Sequence, residues 1–126
     1  PLADLLGRSR DRVPVYASGG LYGEGKTPDD LGREVAGWVA QGFDAVKIKV
    51  AGAPLAEDVR RVAAVREAIG PDVRLMVDAL YILDAASALA LSRAFAPYDI
   101  HFLKRNNLCS CFFPVMIGYY ISCYLI

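Results

Sequence analysis

Ala45-Val-Lys-Ile-Lys-Val50, followed by apolar residues at Leu55, Val59, Val62, Val65 and Ile69 and closed by Gly70-Pro71, reads as a β-strand feeding an amphipathic helix. The unit repeats on both sides. Downstream, Val73-Arg-Leu-Met-Val77 is a third strand, Asp84 caps an Ala-rich helix running to about Phe95, and Ile100-His-Phe-Leu103 begins a fourth strand. Upstream, Thr27-Pro28-Asp29-Asp30 places a capping residue, a first-turn proline and two acids where a helix has unpaired N–H groups. That helix buries Leu31, Val35, Trp38 and Val39 and stops at Gly42. Before it, Val13-Pro-Val-Tyr-Ala17 reads as a strand running into the flexible loop Ser18-Gly19-Gly20. Strand starts near 13, 45, 73 and 100 are about thirty residues apart, the length of a βα unit.

Such alternation predicts right-handed crossovers and a parallel sheet. Two architectures use the unit: an open doubly wound sheet and a closed eight-stranded barrel. The glycine-rich run Ser18–Lys26 fits neither G-x-G-x-x-G nor the Walker pattern, so it reads as a mobile loop above the sheet rather than a phosphate cradle. A complete barrel needs about 250 residues, and 126 residues supply only half of one.

Composition excludes other classes. Fourteen basic and fourteen acidic residues give zero net charge, which removes the footprint of a nucleic-acid binder. With 55% hydrophobic and 22% charged residues, the chain is not disordered. Pro1–Arg12 is polar and charged, unlike a signal peptide, so the body reads as cytoplasmic, with residues 1–12 a solvated N-terminal segment. The average hides a break near residue 104. Every acidic residue lies at or before Asp99, whereas Cys109, Cys111 and Cys123 all fall in the last twenty residues, where no charge follows Arg105. Those cysteines match no zinc spacing and form no disulfide framework. Residues 104–126 form an apolar tail whose uncharged stretch Leu108–Ile126 nearly reaches membrane-spanning length, although Pro114 and Gly118 interrupt a helix. Its shift from Ala, Arg, Gly and Asp towards Phe, Tyr, Ile and Cys is that of a changed reading frame or a foreign end.

Lys47 and Lys49 carry the chemistry. Alternation sends both to one face of the strand while Val46, Ile48 and Val50 take the other. In a strand covered on both sides, an ammonium without a partner costs several kcal/mol, so two of them point to function. Two close lysines also make each other easier to deprotonate, which is how a lysine becomes a base. Removing a proton α to a carboxylate needs the resulting enediolate stabilised, usually by a divalent metal, and Asp78 at the end of the third strand is the candidate ligand. His101 reads as a packing or hydrogen-bonding residue, Trp38 as core, Glu57 and Arg61 as an i,i+4 surface pair, and Arg8, Arg10 and Arg12 as solvated.

Taken together, Val13–Gly20, Gly42-Phe-Asp-Ala-Val-Lys-Ile-Lys-Val50, Glu57–Pro71 and Arg74-Leu-Met-Val-Asp-Ala79 resemble the barrel domain of the mandelate racemase/muconate lactonizing branch of the enolase superfamily. The match covers about residues 11 to 103. The resemblance implies an α/β fold: a partial (β/α)8 TIM barrel, with about three βα units and a fourth strand over residues 13–103. It implies a magnesium-dependent racemase, epimerase, cycloisomerase or acid-sugar dehydratase acting on a small-molecule carboxylate. Lys49 then corresponds to the base, Lys47 to the neighbour that contacts the substrate carboxylate, Asp78 to the first magnesium ligand, and Tyr16 and Ser18 to substrate contacts. Two departures stand out. Leu80 replaces the Asn of the family's Asp-Ala-Asn, and Phe102-Leu103-Lys104-Arg105 replaces Phe-Leu-Glu-Glu, so the second metal ligand is missing. An inactive, truncated or frame-disrupted chain is expected, whose exposed barrel edges invite a homo-oligomer.

Two rivals remain on sequence grounds. One is a non-catalytic, membrane-tethered or self-associating α/β module in which the tail is the functional part. The other is a Schiff-base lyase in which a barrel lysine attacks a carbonyl.

Overall fold

The computed structural model describes residues 1–104. Its elements run α1 (Leu2–Leu5), β1 (Ala17–Gly19), α2 (Pro28–Ala40), β2 (Ala45–Lys49), α3 (Leu55–Ile69), β3 (Arg74–Asp78), α4 (Ala85–Phe95), a 3-10 turn (Ala96–Tyr98) and β4 (Ile100–Lys104). The expectations for the tail and its cysteines lie outside the described residues. No described helix is long and apolar enough to cross a membrane.

Local chemistry sets the helix ends. Thr27 and Asp30 form a reciprocal capping box, with the Thr27 hydroxyl accepting from the Asp30 N–H and the Asp30 carboxylate accepting from the Thr27 N–H. Asp84 accepts from the Ser87 N–H at 2.7 Å and starts α4. Gly70 closes α3 at φ +73°, ψ −178°, a region essentially reserved for glycine. Arg66 then ties the lower end together, donating to the carbonyls of Gly70, Val73, Tyr98 and Asp99.

The four strands are parallel, in the order β1-β2-β3-β4. Among the described residues, helices cover one face only. Val46, Ile48, Leu75, Val77 and Leu103 from the sheet pack against Leu31, Val35, Val62, Val65, Leu91 and Phe95. Sequential order with every crossover on the same side is the barrel path; a doubly wound sheet would reverse at a switch point and cover both faces. The architecture is therefore that of a partial barrel whose uncovered face is the barrel interior. Opposite the apolar layer, register aligns Ser18, Lys47, Met76 and Phe102, and one step further on Lys49, Asp78 and Lys104.

Several expectations need correction. The first strand spans Ala17–Gly19, not Val13–Ala17. Pro14 has no N–H to donate, Val13 and Val15 are exposed, and pairing with β2 begins only where Ala17 meets Val46. Glu57 pairs with Arg60, not Arg61. Arg61 is instead buried beside Asp58. Trp38 is half-buried at the margin of the core rather than inside it. In the loop after β1, the Gly20 carbonyl accepts from Arg61 at 2.9 Å and Lys26 pairs with Glu34 while donating to the Leu21 carbonyl.

Candidate active site

The site lies at the C-terminal ends of β2 and β3, the end of the sheet where barrels place their chemistry. Lys47 and Lys49 project from β2 onto the uncovered face, and Asp78, two residues beyond Met76 on β3, is the register neighbour of Lys49. Lys49 Nζ donates to Asp78 Oδ2 at 2.9 Å, and Lys47 Nζ lies 3.6 Å from the same oxygen. All three predicted residues therefore meet at one point. Lys47 also donates to Tyr16 Oη at 3.3 Å, with its ammonium 5.0 Å from the centre of the Tyr16 ring. Ser18 is exposed at the register position beside Lys47. His101 is apart from this cluster, exposed and with its ring 6.0 Å from that of Phe102.

A residue that sequence reasoning treated only as a missing ligand completes the group. Between Leu75–Ile100 and Met76–Phe102 the β3/β4 register slips by one, leaving His101 as the extra residue. Without that slip Leu103 would face Asp78; with it, Lys104 does, its Nζ 4.0 Å from Asp78 Oδ2 and 5.5 Å from the centre of the Tyr81 ring. Asp78 Oδ1 accepts from the Leu80 N–H at 3.1 Å. Burial pushes the Asp78 carboxyl up, but the Lys49 hydrogen bond, the Leu80 N–H and the charges of Lys49 and Lys104 outweigh it and hold the carboxyl below the usual range.

The loop that follows is strained. Leu80 and Tyr81 have φ of +52° and +66°, a left-handed pair that ordinary side chains adopt at a cost of about 1–2 kcal/mol each. Asn tolerates that conformation better, which gives the Asn-to-Leu departure at position 80 a physical consequence.

A second network, unforeseen from sequence, fixes the loops above the sheet. Asp58 is fully buried and accepts from the Tyr22 hydroxyl and, at 2.7 Å, from the Ala51 N–H. Tyr22 Oη accepts in turn from the Gly52 N–H at 3.0 Å, and the Arg61 guanidinium stacks 4.0 Å over the Tyr22 ring. Burial pushes the Tyr22 phenol up, and its hydrogen bond to Asp58 adds to the shift. The signal was available in the spacing: Asp58 and Arg61 fall beside Val62, Val65 and Ile69 on the buried stripe of α3.

Comparison with known proteins decides the family. The Enolase C-terminal domain-like family profile matches residues 30–103. The chain belongs to the enolase superfamily, in its mandelate racemase/muconate lactonizing branch. It is 36% identical over 105 residues to arabinonate dehydratase of Saccharolobus solfataricus, covering 83% of this chain and 28% of that protein. It is 41% identical over 108 residues to 3,6-anhydro-alpha-L-galactonate cycloisomerase of Streptomyces coelicolor, covering 86% and 29%. A mandelate racemase/muconate lactonizing enzyme-like protein from Rubrobacter xylanophilus superposes with a TM-score of 0.75 at 42% identity, over 83% of this chain and 29% of that one. A Streptomyces coelicolor A3(2) racemase with bound magnesium gives 0.73 at 40% identity, over 83% and 31%. The chain thus spans less than a third of the length of these enolase-superfamily relatives.

Magnesium is bound in that last relative, and the donor set here can be tested against it. A hard cation takes six or more oxygens. Asp78 supplies one carboxylate, both of whose oxygens already accept from N–H donors. Among the described residues no group of three His, Cys, Asp or Glu side chains could hold a metal ion. Lys104 brings a further positive charge to 4.0 Å from the Asp78 carboxylate. The described residues do not fit magnesium.

Proposed function

We propose that residues 13–103 are the N-terminal half of the barrel of a magnesium-dependent enzyme that abstracts the α-proton of a small-molecule carboxylate, and that this chain as it stands is inactive. The reading rests on one observation: Lys47 and Lys49 converge on Asp78 at the C-terminal end of a parallel sheet. In a completed barrel, Lys49 takes the α-proton. Lys47, with Tyr16 and Ser18 beside it, binds and orients the substrate carboxylate. Relatives named as dehydratases and cycloisomerases of sugar acids favour a sugar-acid substrate. Inactivity follows from the composition of the site, because one carboxylate engaged by lysines offers no metal-stabilised seat for a developing enediolate. The same reading makes the body cytoplasmic. It also leaves β1 and β4, the edges among the described residues, to be covered by the rest of a barrel or by a second copy.

The test is exchange of a sugar-acid α-proton in deuterated water. The chain alone gives none. Joined to a family C-terminal half with Lys104→Glu, it gives exchange that Lys49→Ala removes. Exchange equal in the Lys49→Ala barrel overturns the assignment of Lys49.

A further inference from the structure

The two backbone N–H groups that carry the chain out of β2 are both held by side chains from other elements. Ala51 N–H donates to Asp58 Oδ2 at 2.7 Å and Gly52 N–H to Tyr22 Oη at 3.0 Å, while the Tyr22 hydroxyl donates to Asp58 Oδ1. Tyr22 comes from the loop after β1 and Asp58 from the first turn of α3. Ala51 stands at φ +69°, a turn that an alanine does not hold by itself. The fit is steric as well as polar. A Cβ on Gly52 would lie 2.6 Å from Tyr22 Cε2, so the ring packs directly against the backbone, and the Arg61 guanidinium lies 4.0 Å over that ring while donating to the Gly20 carbonyl at 2.9 Å. Lys49 is only two residues before Ala51. Between them, Val50 N–H donates at 3.1 Å to the carbonyl of Asp78, the residue whose carboxylate Lys49 meets. The 2.9 Å contact from Lys49 Nζ to Asp78 Oδ2 therefore depends on where the end of β2 sits.

We propose that Tyr22 and Asp58 are positioning residues for Lys49: they clasp the end of β2 through the Ala51 and Gly52 N–H groups and so hold the Lys49 amine against Asp78. Among the described residues no hydrogen bond or ion pair joins Tyr22 or Asp58 to Lys49 or Asp78, so the effect runs through the backbone. Strand ends otherwise open first, and a base does its work only while its amine stays within about 0.5 Å of its place. The clasp also makes the loops after β1 and β2 move as one, since its two acceptors join them. That the amine so held is a base rests on the proposed function; the holding itself does not.

The test uses the full chain and reads Lys49 against Lys47, which stands in the middle of the same strand with its Nζ 3.6 Å from the same Asp78 oxygen. Trace acetic anhydride labels the amines of the folded protein, and tandem mass spectrometry gives the ratio of label at the two lysines. Tyr22→Phe removes the hydroxyl and keeps the ring; Gly52→Ala pushes the ring away and keeps every polar group. In both, the Lys49-to-Lys47 ratio is expected to rise about fivefold over the natural chain, the shift that loss of one net hydrogen bond produces. Asp58→Asn, which keeps an oxygen for the Ala51 N–H, is expected to give a smaller rise. Circular dichroism confirms that each variant is folded. A ratio unchanged in either folded variant overturns the proposal, and so does an equal rise at both lysines, which is what lost stability alone gives. If neither variant folds, amide exchange in the natural chain decides: the Ala51 and Gly52 N–H groups are expected to exchange about tenfold or more slowly than in an unfolded chain, and unprotected amides there overturn the clasp. Labelling requires no reaction, so its failure leaves the α-proton exchange test of Lys49 untouched, and failure of that exchange leaves the clasp standing.

Discussion

Replacing Asp58 by Ala removes the one acceptor that holds three parts of the site scaffold together. Asp58 is fully buried, accepts from the Ala51 N–H at 2.7 Å and from the Tyr22 hydroxyl, and lies 3.9 Å from Arg61 Nε. That Nε is buried and has no hydrogen-bond partner among the described residues, and the Asp58 carboxylate is the counter-charge beside it. Ala51 itself has φ +69°, a conformation that the Asp58 hydrogen bond restrains. Breaking a buried pair and leaving one charge behind costs about 3–5 kcal/mol. A domain's whole stability is about 5–15 kcal/mol, and with a urea slope of about 1–3 kcal/mol/M the midpoint should fall by about 1 M or more. The assay is urea unfolding followed by the fluorescence of Trp38, the single tryptophan, which packs at the margin of the core. Asp58→Asn keeps an acceptor for Ala51 and should fall between the two. Joint replacement, Asp58→Leu with Arg61→Met, should be less damaging than the sum of the single changes, because no charge is stranded. A loss below about 1 kcal/mol in Asp58→Ala refutes the claim that this network fixes the loops.

Three further outcomes follow from the geometry. Leu80→Asn relieves a left-handed residue and should raise stability by about 1 kcal/mol, read as a higher urea midpoint; an unchanged or lower midpoint would show that the strain is not stored there. Hydrogen bonds from the Thr27 hydroxyl and then from its backbone N–H hold the Asp30 carboxyl down at about 2, so Thr27→Ala should return it towards the ordinary carboxylate range in an NMR titration. Asp78 is held below its unfolded value of about 3.9, so its contribution to stability is complete above that pH and is lost as pH falls through the folded value. Stability measured from pH 7 down to 2 should therefore drop more steeply below about pH 4 in the natural chain than in Asp78→Asn, and equal slopes would count against the pairing.

Much of the fold was legible because parallel βα units have strong local grammar. Thr27, Gly42, Asp84 and Gly70 punctuate helices that the apolar spacing had already outlined, and the length of the repeat fixed the parallel sheet. The facing of Lys47 and Lys49 followed from strand alternation alone. What escaped were features set by tertiary pairing. Val13 and Val15 look like strand residues, yet with no N–H on Pro14 and β2 pairing only from Ala17, they stay exposed. Arg61 looks like a surface residue until the stripe on which it sits is buried. Lys104 faces Asp78 only because β4 carries one extra residue at His101, and no spacing rule within a single strand can foresee a slip against its neighbour.

The convergence of Lys49 and Asp78 on the uncovered face is tested most directly by a double-mutant cycle on stability, using Lys49→Met, Asp78→Asn and the pair. At 2.9 Å and 17% and 4% exposed, the two side chains should couple by about 1–3 kcal/mol. Additivity to within about 0.5 kcal/mol would mean that they do not meet, and the site as described here would not exist.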